Sequence, residues 1–227
     1  MISWDIETEG LPREELEAMM PEFDPDSVKL GNLKDEAKIN LKINNARISH
    51  INNFISKAAL SAVTGRVLAI GYYSSDKDQS FIDGIQMRGD QNLEAGIITR
   101  FWHKAESCRD TNVVMVGLNT HDFDLPFLVR RSWILDVEIP DWIITSDRYF
   151  HSIFVDLRKK WLCGQQATHV RSSFDELGRA FGSGGKTEGV TGADFAKLWW
   201  NDREKAVEYL TNDVKQPVLW AQQMGIF

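Results

Sequence analysis

Two carboxylates, Asp5 and Glu7, stand two positions apart at the end of the short run Met1-Ile2-Ser3-Trp4. If that run is a strand, alternate side chains share a face, and both acids point into one small space. Like charges held that close repel unless a cation lies between them, so the natural chemistry is a hard divalent metal held by oxygen ligands. Taken alone, Asp5-Ile6-Glu7 also fits a solvated strand end. What decides between the two is whether other acids reach the same place.

Three further positions qualify. Asp124 lies in Asn119-Thr120-His121-Asp122-Phe123-Asp124-Leu125-Pro126. Pro126 suits the first turn of a helix, so Asp124 sits near a helix start, where backbone N–H groups and the dipole tolerate a carboxylate. It is a site acid or a simple cap. Tyr209 and Asp213 are four residues apart on the last helical segment, hence on one face and about 6 Å apart along the axis. His121, Asp122 and Asp156 are weaker candidates: a lone His is more often structural, Asp122 is readily solvated, and Asp156 ends the strand-like Val155-Asp156 as a supporting group. The loop Gly182-Ser183-Gly184-Gly185-Lys186-Thr187 lacks the spacing of a phosphate loop and no apolar strand leads into it, which excludes an ATPase of that kind.

The elements that must position these residues are legible from patterning. The segments Gly65–Tyr73 and Ser80–Asp83 around the polar turn at Ser74–Asp78 predict a hairpin. Leu93, Ile97, Ile98, Phe101 and Trp102 recur at helical spacing. Val113–Leu118 is continuously apolar, as a buried central strand is. Ser173-Phe174-Asp175-Glu176 predicts a capping box opening a helix to about Phe181. Helices follow from about Ala193 to Trp200 and from Asp202 onward, the last kinked or divided at Pro217. Between residues 13 and 62 the composition shifts to a helical insertion. Ile39, Ile43, Ile48, Ile51, Phe54 and Ile55 are its apolar stripe, and Lys34, Lys38, Lys42, Arg47 and Lys57 a solvated or polyanion-touching face. Strands, a helix, then a buried strand make the fold class mixed α/β.

The chain of 227 residues is 43% hydrophobic, with eight Trp and twelve Phe, enough for one domain carrying an insertion. No stretch approaches the roughly 18 apolar residues of a membrane span and no leader precedes the first strand, so a soluble, cytoplasmic protein without membrane contact is expected. Cys108 and Cys163 lack a C-x-x-C context and are read as reduced thiols. The net charge of -7 argues against coating nucleic acid. A site whose own carboxylates supply part of that charge, and which metal neutralises, escapes the objection.

Assembled, four acids and a Tyr at three separated places resemble the DnaQ-like 3′-5′ exonucleases of the ribonuclease H-like fold, in the DEDDy subgroup. Asp5-Ile6-Glu7-Thr8 looks like the first motif. Asn119 with Phe123-Asp124-Leu125-Pro126 looks like the second, in the form found in family-B DNA polymerase proofreading domains, and Tyr209-Leu210-Thr211-Asn212-Asp213 is similar to the third. The stretch Ser172–Gly192, with Leu177, Gly185-Lys186-Thr187 and Gly189, is similar to the stand-alone exonucleases related to those domains. The resemblance implies a ribonuclease H-like mixed sheet flanked by helices. It implies two Mg²⁺ or Mn²⁺ ions held by Asp5, Glu7, Asp124 and Asp213, with Asp5 bridging them. Tyr209, a poor base near neutral pH, would orient the attacking water. Thr8 would contact the terminal nucleotide, Leu11 would wedge against its base, and Asn119 belongs to the substrate side. Phe123 could offer a stacking surface, although a core aromatic reads as well.

The leading expectation is therefore a metal-dependent exonuclease on single-stranded DNA 3′ ends, in proofreading, repair or degradation. The same chemistry on RNA is the rival, and a nucleic-acid-binding module without catalysis a second. The insertion is expected to guide the strand or dock a replication or repair protein.

Overall fold

The computed structural model describes residues 1–88, 91–144, 152–185 and 192–226. The chain runs β1 (Ile2–Gly10), α1 (Arg13–Met19), α2 (Glu36–Lys57), β2 (Gly65–Ser74), β3 (Gln79–Gly84), α3 (Gln91–Asp110), β4 (Met115–Gly117) and α4 (Asp124–Ile134). It continues through α5 (Asp141–Ile144), β5 (Phe154–Asp156), α6 (Leu157–Leu162), α7 (Phe174–Ala180), α8 (Gly192–Asn201) and α9 (Arg203–Gln223). Five strands form one sheet in the order β3-β2-β1-β4-β5. β1 pairs with β4 and β4 with β5 in parallel, while β2 and β3 form the expected antiparallel hairpin. Ser75 N–H donates to the Met1 carbonyl at one end and Leu11 N–H to the Thr64 carbonyl at the other, so β1 and β2 run antiparallel. The result is the mixed, helix-flanked sheet expected of the sequence.

Contacts divide the chain into one unit of residues 1–8 with 67–227 and another of residues 9–66. In the second, α2 is 22 residues long, capped by the Asp35 side chain on Lys38 N–H, and buries no residue fully. Its apolar stripe is half-buried, with Ile48 exposed, and Lys34, Lys38, Lys42, Arg47 and Lys57 lie in solvent. Phe23 packs on His50, with the Arg47 guanidinium over its ring, which ties the preceding loop to this helix. Leu11 is buried with Leu16 and Ala58, against Phe54. The leucine expected to wedge against a terminal base thus lies in that cluster, 9% exposed.

The first unit has a dense core because β2 is buried almost end to end, Val67, Leu68, Ala69 and Ile70 being fully so. Trp4 on β1 meets Phe101 of α3 and Phe154 of β5. The buried strand expected over Val113–Leu118 shortens to Met115–Gly117, because Val113 N–H still bonds back to the Cys108 carbonyl at the end of α3. Pro217 does not divide the last helix, which is continuous through it. Its missing N–H removes one donor from the helical ladder. Burial of Val214, Val218, Trp220 and Ala221 on either side holds the helix together. The Ser173–Glu176 capping box forms as expected. Among the described residues no helix is long and apolar enough to cross a membrane.

A buried ion pair pins the hairpin to the helices. Glu94 of α3 is fully buried and accepts from the Val67 N–H at 2.8 Å and from Arg131 of α4 at 2.7 and 2.9 Å. Removing one partner strands the other charge in low dielectric. Glu94→Gln is expected to cost about 3 to 5 kcal/mol in urea denaturation; a loss under 1 kcal/mol would show that Arg131 finds another partner.

Candidate active site

β1 alternates as its sequence requires: Trp4 and Ile6 turn to the core, and Asp5 and Glu7 turn together to the other face. α9 brings Asp213 to that face. Its approach to β2 depends on Gly71, where a Cβ would lie 2.7 Å from Leu210 and 2.9 Å from Val214. Oxygens of Asp5, Glu7 and Asp213 all lie within 4.8 Å of one another. Glu7 and Asp213 are only 7% and 3% exposed. A cavity of about 110 Å³ opens beside them, lined by Trp4, Asp5, Leu118, Phe174, Asp213 and Pro217.

Asp124 arrives differently. It is the first residue of α4, after Phe123, and its Oδ1 accepts the Ile6 N–H at 3.1 Å. That bond fixes it to β1 between the two acids of the first motif, and it is hydrogen-bonded to Asp5. Its oxygens are not part of the three-carboxylate cluster, so it adjoins the cluster through Asp5. Burial pushes its carboxyl up to about 7, with Asp156 adding to the rise, against the Ile6 N–H, its own N–H and Asp5, which pull it down.

The Tyr209 hydroxyl is hydrogen-bonded to Asp213, and its ring is fully buried against Phe195. Burial above all, then the charges of Asp213, Glu7 and Asp5, hold the phenol well above its ordinary range. It stays protonated and is a donor, not a base.

The segment before Asp124 is held by Asp156, which caps α6 by accepting from the Arg158 and Lys159 N–H groups. The same carboxylate accepts from the Asn119 and His121 N–H groups at 2.9 and 3.1 Å. Gly117, paired with Asp156 across the sheet, admits this packing, because a Cβ there would lie 2.4 Å from Thr120 and 2.7 Å from the Trp4 carbonyl. Asn119 adopts a left-handed φ of 68°, and its side-chain oxygen accepts from Arg158 at 2.6 Å. The His121 ring lies against the Phe154 carbonyl and Asp122 pairs with Lys159 in solvent.

Phe123 is half-buried with its ring 5.5 Å from Phe127, and it does not line the cavity. Phe174 does, a residue the sequence showed only as the start of the capped helix. Thr8 is half-buried at the end of the first unit's share of β1. Arg158, which joins Asn119 to Ser172, carried no sequence signal because its partners are remote in the chain. Lys186, Thr187 and Gly189 lie outside the described residues.

The carboxylate set fits a hard dication. All its donors are oxygens, and two nearly buried carboxylates beside a third are too costly to sustain without a cation. Without metal, Asp124 supplies a pH signature. An acid whose folded value stands above its ordinary 3.8 gives stability that is present below 3.8 and lost as pH rises to about 7. In chelator, Asp124→Asn should therefore gain stability over the wild type as pH rises from 4 to 8 in urea denaturation. An unchanged difference between the two proteins across that range would refute the assignment.

Comparison with known proteins agrees with this geometry. Residues 58–221 match the family described as predicted 3′-5′ exonuclease related to the exonuclease domain of PolB. That range holds Asp124, Tyr209 and Asp213, while Asp5 and Glu7 precede it. No curated protein matches the chain. Among solved structures, the family B DNA polymerase from the hyperthermophilic archaeon Pyrobaculum calidifontis is similar in fold, with a TM-score of 0.56 at 17% sequence identity. The likeness covers 98% of this chain and 24% of the polymerase, so the chain spans about a quarter of that protein's length. With the matched range extending over well more than half its length, the chain belongs to the family of predicted 3′-5′ exonucleases related to the exonuclease domain of PolB.

Proposed function

We propose that the protein is a metal-dependent 3′-5′ exonuclease that hydrolyses the terminal phosphodiester of single-stranded DNA and releases nucleoside 5′-monophosphates. The observation that carries this is the convergence of Asp5, Glu7 and Asp213 within 4.8 Å, with Asp124 bonded beside them, in a chain of this family. Likeness to a DNA polymerase favours DNA over RNA.

In this reading Asp5, Glu7 and Asp213 hold two Mg²⁺ or Mn²⁺ ions, with Asp124 completing the set beside Asp5. When bound, the dications make water a nucleophile near neutral pH and stabilise charge on the attacking and leaving oxygens. Water oxygen joins phosphorus, the bond from phosphorus to the penultimate 3′ oxygen breaks, and that oxygen takes a proton to become the new 3′ hydroxyl. Tyr209, kept neutral by burial and by the carboxylates around it, directs its proton to an acceptor and orients Asp213 and the water beside it. Phe174 and Leu118 wall the cavity and exclude bulk solvent from the reacting phosphate. Thr8 contacts the terminal nucleotide.

Matched labelled DNA and RNA strands, digested with Mg²⁺ added, omitted and chelated, test the proposal. DNA should shorten from its 3′ end only with metal, and Asp5→Ala and Asp124→Asn should abolish this. Equal digestion by all three proteins would expose a contaminant, and faster loss of RNA would reverse the substrate preference. Tyr209→Phe should lower turnover about 10- to 100-fold, as loss of a group supporting a metal ligand does, with KM for the strand unchanged. Full turnover would remove Tyr209 from the reaction.

A further inference from the structure

A second cavity of about 450 Å³ lies next to the acidic one along the chain, within the size range of ligand-binding clefts. Leu118 and Phe174 line the acidic cavity. Ser173, next to Phe174, and Ser172 line the second, while Asn119, next to Leu118, does not but is bonded to its Arg158. Arg158 joins the two, its Nε donating to Ser172 Oγ at 3.0 Å and its Nη1 to Asn119 Oδ1 at 2.6 Å. Where the acidic cavity gathers carboxylates, the second is lined by Arg158, His169, Arg171, Ser172, Ser173 and Glu176.

The groove is built rather than a loose charged loop. The Trp161 indole donates to the Arg171 carbonyl at 2.8 Å, Arg158 holds Ser172, and Ser173 is fixed by the capping box with Glu176. Glu176 is the one carboxylate in the lining, and it is engaged. Ser173 N–H and Oγ donate to its Oε2, and the Arg171 guanidinium lies 3.6 Å from its Oε1. Arg171 itself is 87% exposed, so its charge is open to a ligand. Val170 lines both this groove and the next cavity, which is mainly apolar and holds one cation, Lys160.

We infer that this groove receives the backbone phosphates of the single strand on the 5′ side of the scissile bond. The inference rests on the proposed exonuclease reading, which puts the 3′-terminal nucleotide at the acids. The rest of such a strand must then leave over a neighbouring surface, and a chain of net charge -7 repels it except where cations line the way. Two guanidiniums, an imidazole and the Ser172 hydroxyl against one engaged carboxylate suit phosphodiester oxygens.

Binding of fluorescein-labelled dT12, read by anisotropy in chelator across a salt series, tests the groove without hydrolysis. Each lost phosphate contact lowers the salt slope for a single strand by about 0.7. Arg171→Ala should weaken binding severalfold and lower the slope by about that amount, and Arg171→Lys should restore the slope. Hydrolysis of the p-nitrophenyl ester of thymidine 5′-monophosphate, too short to reach the groove, should be the same in wild type and Arg171→Ala. An unchanged slope, no binding of dT12 by the wild type, or equal loss of ester hydrolysis would overturn the inference. A wild type that binds with the expected slope but cleaves neither substrate would sink the exonuclease reading and leave the groove standing.

Discussion

The structure turns on crowding negative charge where water is scarce. Asp5, Glu7 and Asp213 bring oxygens within 4.8 Å of one another, and two of the three residues are nearly closed to solvent. In a medium of low dielectric such neighbours repel strongly, and a chain free to relax would separate them. They stay because the backbones that carry them are fixed by unrelated interactions. Trp4 and Ile6 anchor β1 from the opposite face, and the Gly71 contact seats α9 on the sheet. A cation binding here meets donors whose ordering cost folding has already met.

Two aspartates outside the cluster show how backbone donors grade an acid's role. Asp156 collects the N–H groups of Asn119, His121, Arg158 and Lys159, so it serves as a knot between two chain segments. Asp124 has the Ile6 N–H and its own, and burial outweighs them, which leaves its proton in play near neutral pH. The knot fixes the loop, and the loop fixes where Asp124 meets β1. Pro217 has a comparable place: it withholds an N–H within an otherwise continuous helix, and it lines the acid cavity itself.

What could be read from sequence was whatever depends on local periodicity. Alternation put Asp5 and Glu7 on one face, a four-residue step put Tyr209 and Asp213 on another, and the hairpin and capping box carried their own signatures. What depends on remote packing was not legible. Leu11 offers no sign that Leu16 and Ala58 enclose it, and nothing about Phe174 says that it walls the acids while Phe123 turns to Phe127. That α9 is not divided at Pro217 has the same origin, since buried neighbours outweigh one lost hydrogen bond. The family match begins at residue 58, so the placement of Asp5 and Glu7 beside Asp213 comes from the fold alone.

An acidic protein proposed to act on a polyanion must place its charges selectively. Under the proposed reading, the carboxylates that oppose the substrate are concentrated where dications would reverse their sign, and Arg158 and Arg171 line a groove whose Ser173 adjoins Phe174 of the acid cavity. Under the proposed reaction this arrangement discriminates as well as attracts. A strand lying only on the basic groove gains no purchase at the acids until metal is bound. Entry is thereby restricted to a free end that can leave its tail in the groove while its terminal phosphate reaches the metal site. In the proposed reading, a frayed single strand suits this charge placement with no need for a residue that reads bases.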